Sequence, residues 1–262
     1  AFGELQNGVL TVRLKTDSND EFAYIYDSFN KTAEDIKEMI DNVYEKELLL
    51  QSAKLKQLQS QINPHFLYNS FFILRGRIEA EDTEGAVEFC EKLGRYFEYI
   101  TRVDCDEVCL QEEANHAKIY TDIQATRFGS RLHVEFEDMP PAYSNLLVPK
   151  LIMQPILENI FKYSFDNRVS ENMISVTYLT QPGFLQIRFD DNGVGMQNEH
   201  IAELNRRLEK NASEGEVSGL LNIHKRIQLM FGPESGLRLQ SSELGGLCVV
   251  MTISGIGASN GV

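Results

Sequence analysis

Gln59-Ser60-Gln61-Ile62-Asn63-Pro64-His65-Phe66-Leu67-Tyr68-Asn69 is the stretch on which the reading of this 262-residue chain turns. Apolar residues recur at Leu55, Leu58, Ile62 and Phe66, spaced three and four apart, which predicts a helix. Pro64 falls inside that pattern. It lacks an N–H, and its ring collides with the carbonyl four residues back, that of Ser60. Asn63, just before it, is pushed away from helical angles. The sequence builds a helix and damages it one residue before a histidine. His65 lies about 100° round the helix from Phe66, beside the apolar stripe, where another group can reach it.

Upstream, Val9 to Leu14 reads as a strand by its β-branched content, and Asp20-Glu21-Phe22 opens a helix with acids in its first turn. Phe29, Ala33, Ile36, Ile40 and Val43 then form a heptad seam of the kind that buries itself against a second helix. The run continues through Glu47 and Gln51 to Leu55 in steps of four, a stutter that unwinds a coiled coil locally. The expectation is one long helix from Phe29 to about Arg77 with a soft middle, and a parallel homodimer to bury its seam. Asp82 or Thr83 caps a second helix, from about Glu84 to Arg102, with Val87, Phe89, Cys90, Leu93, Tyr96, Phe97 and Ile100 as its apolar face. Two such helices from each of two chains make a four-helix bundle.

After Cys105 the pattern alternates. A helix from about Leu110 to Phe128 leads to a strand, Leu132 to Phe136, which Asp138-Met139-Pro140-Pro141 ends. A helix follows from about Pro149 to Tyr163, bent at Pro155. Strands are expected at Ile174–Leu179, Phe184–Asp190, Leu237–Ser241 and Leu247–Ile253, with helices near His200–Lys210 and Gly219–Phe231. The fold class is α+β: a helical dimerisation hairpin followed by an α/β sandwich.

Three segments of the second half stand out. Glu158, Asn159 and Lys162 lie within four positions of a helix, with Glu158 and Lys162 on one face. Asp191-Asn192-Gly193-Val194-Gly195 directly follows a strand, and its two glycines permit tightly bent backbone. Ser218-Gly219-Leu220-Leu221-Asn222 puts a glycine at a helix N-terminus, where free N–H groups attract anions.

The Asn63–Asn69 segment resembles, at every position, the phosphoacceptor core of LytS/YesM-type sensor histidine kinases. The three downstream segments, in that order and spacing, resemble the N, G1 and G2 boxes of the Bergerat-type ATPase fold over roughly Leu110 to Ile253. Gly8 to Asn30 is similar to the connector and second helix of a HAMP domain. The domains implied are a partial HAMP-like segment (1–30), dimerisation and histidine phosphotransfer helices (31–104) and an ATP-binding catalytic domain (105–262). The resemblance implies ATP and Mg²⁺ as cofactors, with Asn159 on the metal, Lys162 on the phosphates and Asp191 on the adenine amino group. Gly193, Gly195 and Gly219 would let backbone approach the nucleotide, and Arg226 sits at a position that is usually arginine. His65 would accept the phosphoryl group, Glu158 would polarise that nucleophile, and Asn69, one turn on, would orient a water for dephosphorylation of a partner. Tyr163, Val217 and Leu247 depart from the family pattern.

The implied activity is protein-histidine kinase, with transfer to a response-regulator aspartate. The implied location is the cytoplasmic portion of a bacterial membrane protein, this chain itself being soluble. Two other classes stay open: a nucleotide-regulated dimeric scaffold without phosphotransfer, and a hydrolytic chaperone-type ATPase, against which the full histidine motif argues. The net charge of −14 argues against nucleic acid and against docking on an anionic membrane. Cys90, Cys105, Cys109 and Cys248 form no CxxC pair, and no His/Cys cluster has zinc spacing. No apolar run approaches the roughly 20 residues that span a bilayer.

Overall fold

The computed structural model describes residue 14 and residues 24–40, 42, 46, 64–102, 106–165, 171–210 and 218–256. Two compact units divide the chain, Ala1–Pro64 and His65–Val262.

In the first unit residues 24–40 form helix α1. Phe29 and Ala33 of the expected seam are buried, whereas Ile36 and Ile40 are exposed. The Asn30 amide accepts from Leu14 N–H and donates to Leu14 C=O, both at 2.8 Å. That pair of bonds occupies the groups a ladder would use, and Leu14 is not in a strand as expected. The rest of the 9–14 strand reading, most of the HAMP-like segment, Val43 and the stutter to Ile62 lie outside the described residues, as do Ser60 and Asn63.

In the second unit α2 runs Pro64–Glu79. Pro64 is its first described residue. Asp82 caps α3 (Thr83–Thr101) by accepting from Gly85 N–H at 3.0 Å. The buried face of α3 is Ala86, Phe89, Leu93, Tyr96 and Ile100, an unbroken three-four spacing. Val87 and Cys90, expected inside, each lie one residue past that stripe and are exposed.

Strand β1 (Glu107–Cys109) pairs antiparallel with β3 (Leu147–Pro149), which brackets α4 (Leu110–Phe128) and β2 (Leu132–Phe136). The expected helix from Pro149 to Tyr163 is corrected here. Pro149 ends β3, Leu151 turns through φ +59°, and α5 spans only Gln154–Asn159. It passes into a π-turn over Ile160–Ser164. Pro155 falls in the first turn of α5, so it has no helical bond to break and no bend to cause. β4 (Asn172–Gln181), β5 (Phe184–Asp191), α6 (Asn198–Glu209), α7 (Ser218–Phe231), β6 (Gly236–Ser241) and β7 (Leu247–Ser254) complete the unit.

The five-stranded sheet has the order β2-β4-β5-β7-β6, with β2 parallel to β4 and the other pairs antiparallel. Alternate residues of the central strands, Ile174, Val176, Leu185, Ile187, Phe189, Met251 and Ile253, are fully buried and face one layer of helices. The intervening Ser175, Thr177, Gln186 and Arg188 are half-buried. A two-layer sandwich results, as the mixed pattern predicts, and its sheet delivers Asp191 to the end of β5.

Candidate functional site

The start of α5 is set by a buried acid. Glu113, on α4, is 0% exposed. Its Oε1 accepts from Ile152 N–H at 2.7 Å and Met153 N–H at 2.9 Å, and its Oε2 from Leu151 N–H at 2.9 Å. The left-handed turn at Leu151 aims these three consecutive donors at one carboxylate, a backbone nest. From there α5 carries Glu158 and Asn159, both half-buried, and the π-turn carries the exposed Lys162. The Lys162 ammonium lies 4.7 Å from the ring centroid of Tyr163.

Ser164 ties this segment to the Asp191 loop. Its carbonyl accepts from Val194 N–H at 3.1 Å. Asp191, 1% exposed, accepts at Oδ1 from Gly193 N–H at 2.8 Å and Leu247 N–H at 3.3 Å. Burial pushes its carboxyl upward, while the Gly193 amide, the Ser164 hydroxyl and the Leu247 amide pull it back. A Cβ on Gly193 would stand 2.3 Å from Ser164 O, so glycine is required there by the protein's own backbone. Gly195 takes φ +65°, which a side chain rarely adopts. The structure thus gathers Asp191, Gly193 and Gly195 at the end of the segment that bears Glu158, Asn159 and Lys162. Gly219, in the first turn of α7, borders open space. Arg226, on the same helix, does not share that surrounding: the acids around it are Glu113 and Asp106, whose charges oppose the downward push of its burial.

His65 is exposed near the start of α2. Asn69, one turn on, brings its amide nitrogen to 3.2 Å from His65 Nδ1 and 3.4 Å from Nε2. The adjacent Phe66 points inward, with its ring 4.5 Å from that of Tyr96 and 5.6 Å from that of Tyr120. Glu158 stands close enough to both phenols for its charge to add to the upward push that burial gives them. Phe66, beside His65, and Phe161, in the π-turn that follows α5, both pack on the Tyr120 ring, at centroid distances of 5.6 and 6.0 Å.

Sequence reasoning missed the residues that seat α5: Glu113, Tyr99, His116 and Gln154. Tyr99 donates its hydroxyl to Glu113. His116 Nε2 pairs with Gln154 Oε1 at 2.7 Å, and Gln154 Nε2 donates to Tyr96 at 3.0 Å. One signal was readable. Glu113 sits in the middle of the stripe Leu110, Ala114, Ala117, Thr121, where an acid has no reason to be unless it is held.

Residues 53–132 match the histidine kinase family model, and residues 146–255 match that of the histidine kinase-, DNA gyrase B- and HSP90-like ATPases. The chain is 32% identical over 244 residues to the sensor histidine kinase YesM of Bacillus subtilis, across 93% of this chain and 41% of that protein. It is 28% identical over 198 residues to the sensor protein LytS of Staphylococcus epidermidis, across 75% of this chain and 33% of that one. Among solved structures it is similar to the ATP binding domain of PrrB from Mycobacterium tuberculosis, at 18% identity and a TM-score of 0.40, covering 58% of this chain and 97% of that domain. The chain spans about two fifths or less of these curated relatives.

Proposed function

We propose, for a chain that belongs in its helical and ATPase segments to the sensor histidine kinases of the YesM and LytS type, that it phosphorylates its own His65 from ATP and passes the group to an aspartate of a response regulator. The observation that carries this is the presence, in one chain, of an exposed histidine and a glycine-built turn at Asp191–Gly195, with Phe66 beside the histidine and Phe161 of the π-turn both packed on the Tyr120 ring. One lone pair of neutral His65 attacks the γ-phosphorus, an N–P bond forms, and the bond to the β-phosphate oxygen breaks to leave ADP. Asp191 would accept from the adenine amino group, Lys162 would meet the phosphates, and Glu158 would polarise His65.

The residues present fit Mg²⁺. Asn159 offers a half-buried, hard amide oxygen, and this ion is held through one or two protein oxygens together with substrate phosphates. When bound it offsets the triphosphate charge. Incubation of the full chain with γ-labelled ATP tests the reading: the label should be acid-labile, alkali-stable and located on His65. No label would leave a hydrolytic ATPase or a non-transferring scaffold, and an acid-stable label would mean transfer to a hydroxyl in place of His65.

We assign residues 31–104 to dimerisation and phosphotransfer and 105–262 to nucleotide binding. Tyr68, Phe71, Phe72 and Ile78 on α2 and Val87 on α3 are exposed apolar residues, which supports a homodimer. Ile36→Lys combined with Ile62→Lys is expected to give a monomer, because each chain would bury two charges in the seam. Light scattering at micromolar concentration checks this, and a monomeric wild type would sink the assembly. Asn69→Ala is expected to retain labelling yet slow dephosphorylation of the partner on the order of tenfold. Equal rates would leave Asn69 a polar surface residue. The location proposed is the cytoplasmic side of a membrane protein; among the described residues no helix is long and apolar enough to cross a membrane.

A further inference from the structure

Around Glu113 the structure spends four hydrogen-bond donors on one buried carboxylate: the Leu151, Ile152 and Met153 amides and the Tyr99 hydroxyl. Three of these come from the turn that opens α5, and the fourth comes from the last turns of α3. The turn is held against its own preference, since Leu151 adopts φ +59° without being glycine. Lys150, just before it, adds a second tie to α3. Its ammonium donates to Arg102 C=O at 2.7 Å and to Ile100 C=O at 3.5 Å, and it lies 5.1 Å from the centroid of the Tyr99 ring. A helix of six residues cannot fix its own direction by propensity. What aims α5, and with it Asn159, is therefore the carboxylate under its first turn.

We propose that Glu113 is a positioning residue for nucleotide binding, and that Tyr99 makes this seat answer to α3. The proposal rests on the kinase reading above. Asn159 lies one and a half turns from the seat, so a carboxylate shifted or replaced at Glu113 re-aims the metal-binding amide without touching it. Tyr99 adds no donor to α5 itself. It joins the end of α3 to that carboxylate, so a movement of α3 reaches the catalytic geometry after nucleotide has bound.

The two residues separate by their readouts. In Glu113→Gln the amide must present an N–H where an acceptor is needed, or lose one oxygen to it. Mg·ATP affinity by calorimetry should fall tenfold or more, and protection of the Leu151–Met153 amides from hydrogen exchange should be lost, with one cooperative unfolding transition retained. Tyr99→Phe keeps the ring, the nest and the Lys150 contacts and removes only the hydroxyl's bond to Glu113. Mg·ATP affinity should stay within twofold while the labelling rate at saturating ATP changes fivefold or more, a split that loss of general stability does not produce. Wild-type Mg·ATP affinity in a folded Glu113→Gln overturns the seat. A Tyr99→Phe protein that labels at the wild-type rate overturns the coupling through the Tyr99 hydroxyl, and this arm stands even where Glu113→Gln fails to fold. A wild-type chain that neither binds Mg·ATP nor labels would instead refute the kinase reading, so the two failures are distinguishable.

Discussion

His65→Ala is expected to abolish phosphate incorporation from labelled ATP, by at least on the order of 10³-fold, because a phosphotransfer reaction that has lost its nucleophile has no alternative path through the same site. The substitution should cost the fold little. His65 is exposed, and alanine is the best residue for a helix. The neighbouring Phe66, which anchors this end of α2 against Tyr96 and Tyr120, is left in place. Nucleotide affinity should therefore be unchanged, since Asp191, Gly193 and Asn159 belong to other elements. Measuring Mg·ATP affinity and label on the same preparation checks both halves. Label that persists in His65→Ala would move the acceptor elsewhere and remove the central claim. Loss of label together with loss of binding would mean that the substitution had disturbed the whole unit.

Gly246→Ala is expected to be among the most damaging single methyl groups in the second unit. Its Cβ would stand 2.2 Å from Asp191 Oδ1, 2.5 Å from Asp191 O and 2.6 Å from Gly193 N. Two of those neighbours are backbone and cannot rotate away. The carboxylate is itself held by the Gly193 and Leu247 amides. Overpacking of this kind costs about 1–3 kcal/mol or more, and the displaced Asp191 should lower nucleotide affinity at least about tenfold, roughly the value of one charge-assisted hydrogen bond. Gly219→Ala supplies the contrast, because nothing lies within 4 Å of the added Cβ. Its stability should be unchanged or slightly higher. If bare backbone is needed there for nucleotide approach, affinity alone falls. Calorimetry and thermal unfolding on the two variants decide it. A Gly246→Ala protein with wild-type midpoint and affinity would mean that the loop re-forms around the methyl group at no cost.

Local pattern alone determined much of this protein. The helix Leu110–Phe128 and the strand Leu132–Phe136 stand where periodicity placed them, and Asp82 caps α3 as its side chain predicts. These features depend on residues within one or two turns of one another, so neighbours in sequence carry the whole signal. Only the tertiary structure decided the rest. β1 and β3 are three residues each, and Glu107 finds Pro149 across the intervening helix and strand, a pairing no local window contains. That same pairing ends β3 at Pro149 and so cancels the helix expected to start there. The buried stripe of α3 runs through Ala86, which leaves Val87 and Cys90 exposed. Gly193 reads in sequence as freedom beside a ligand, whereas Ser164 O is what excludes its side chain. Glu113 reads as an acid misplaced in an apolar stripe until three amides from a turn almost forty residues away close around it. A buried acceptor is stable only where its donors converge, and that convergence is a property of the folded chain.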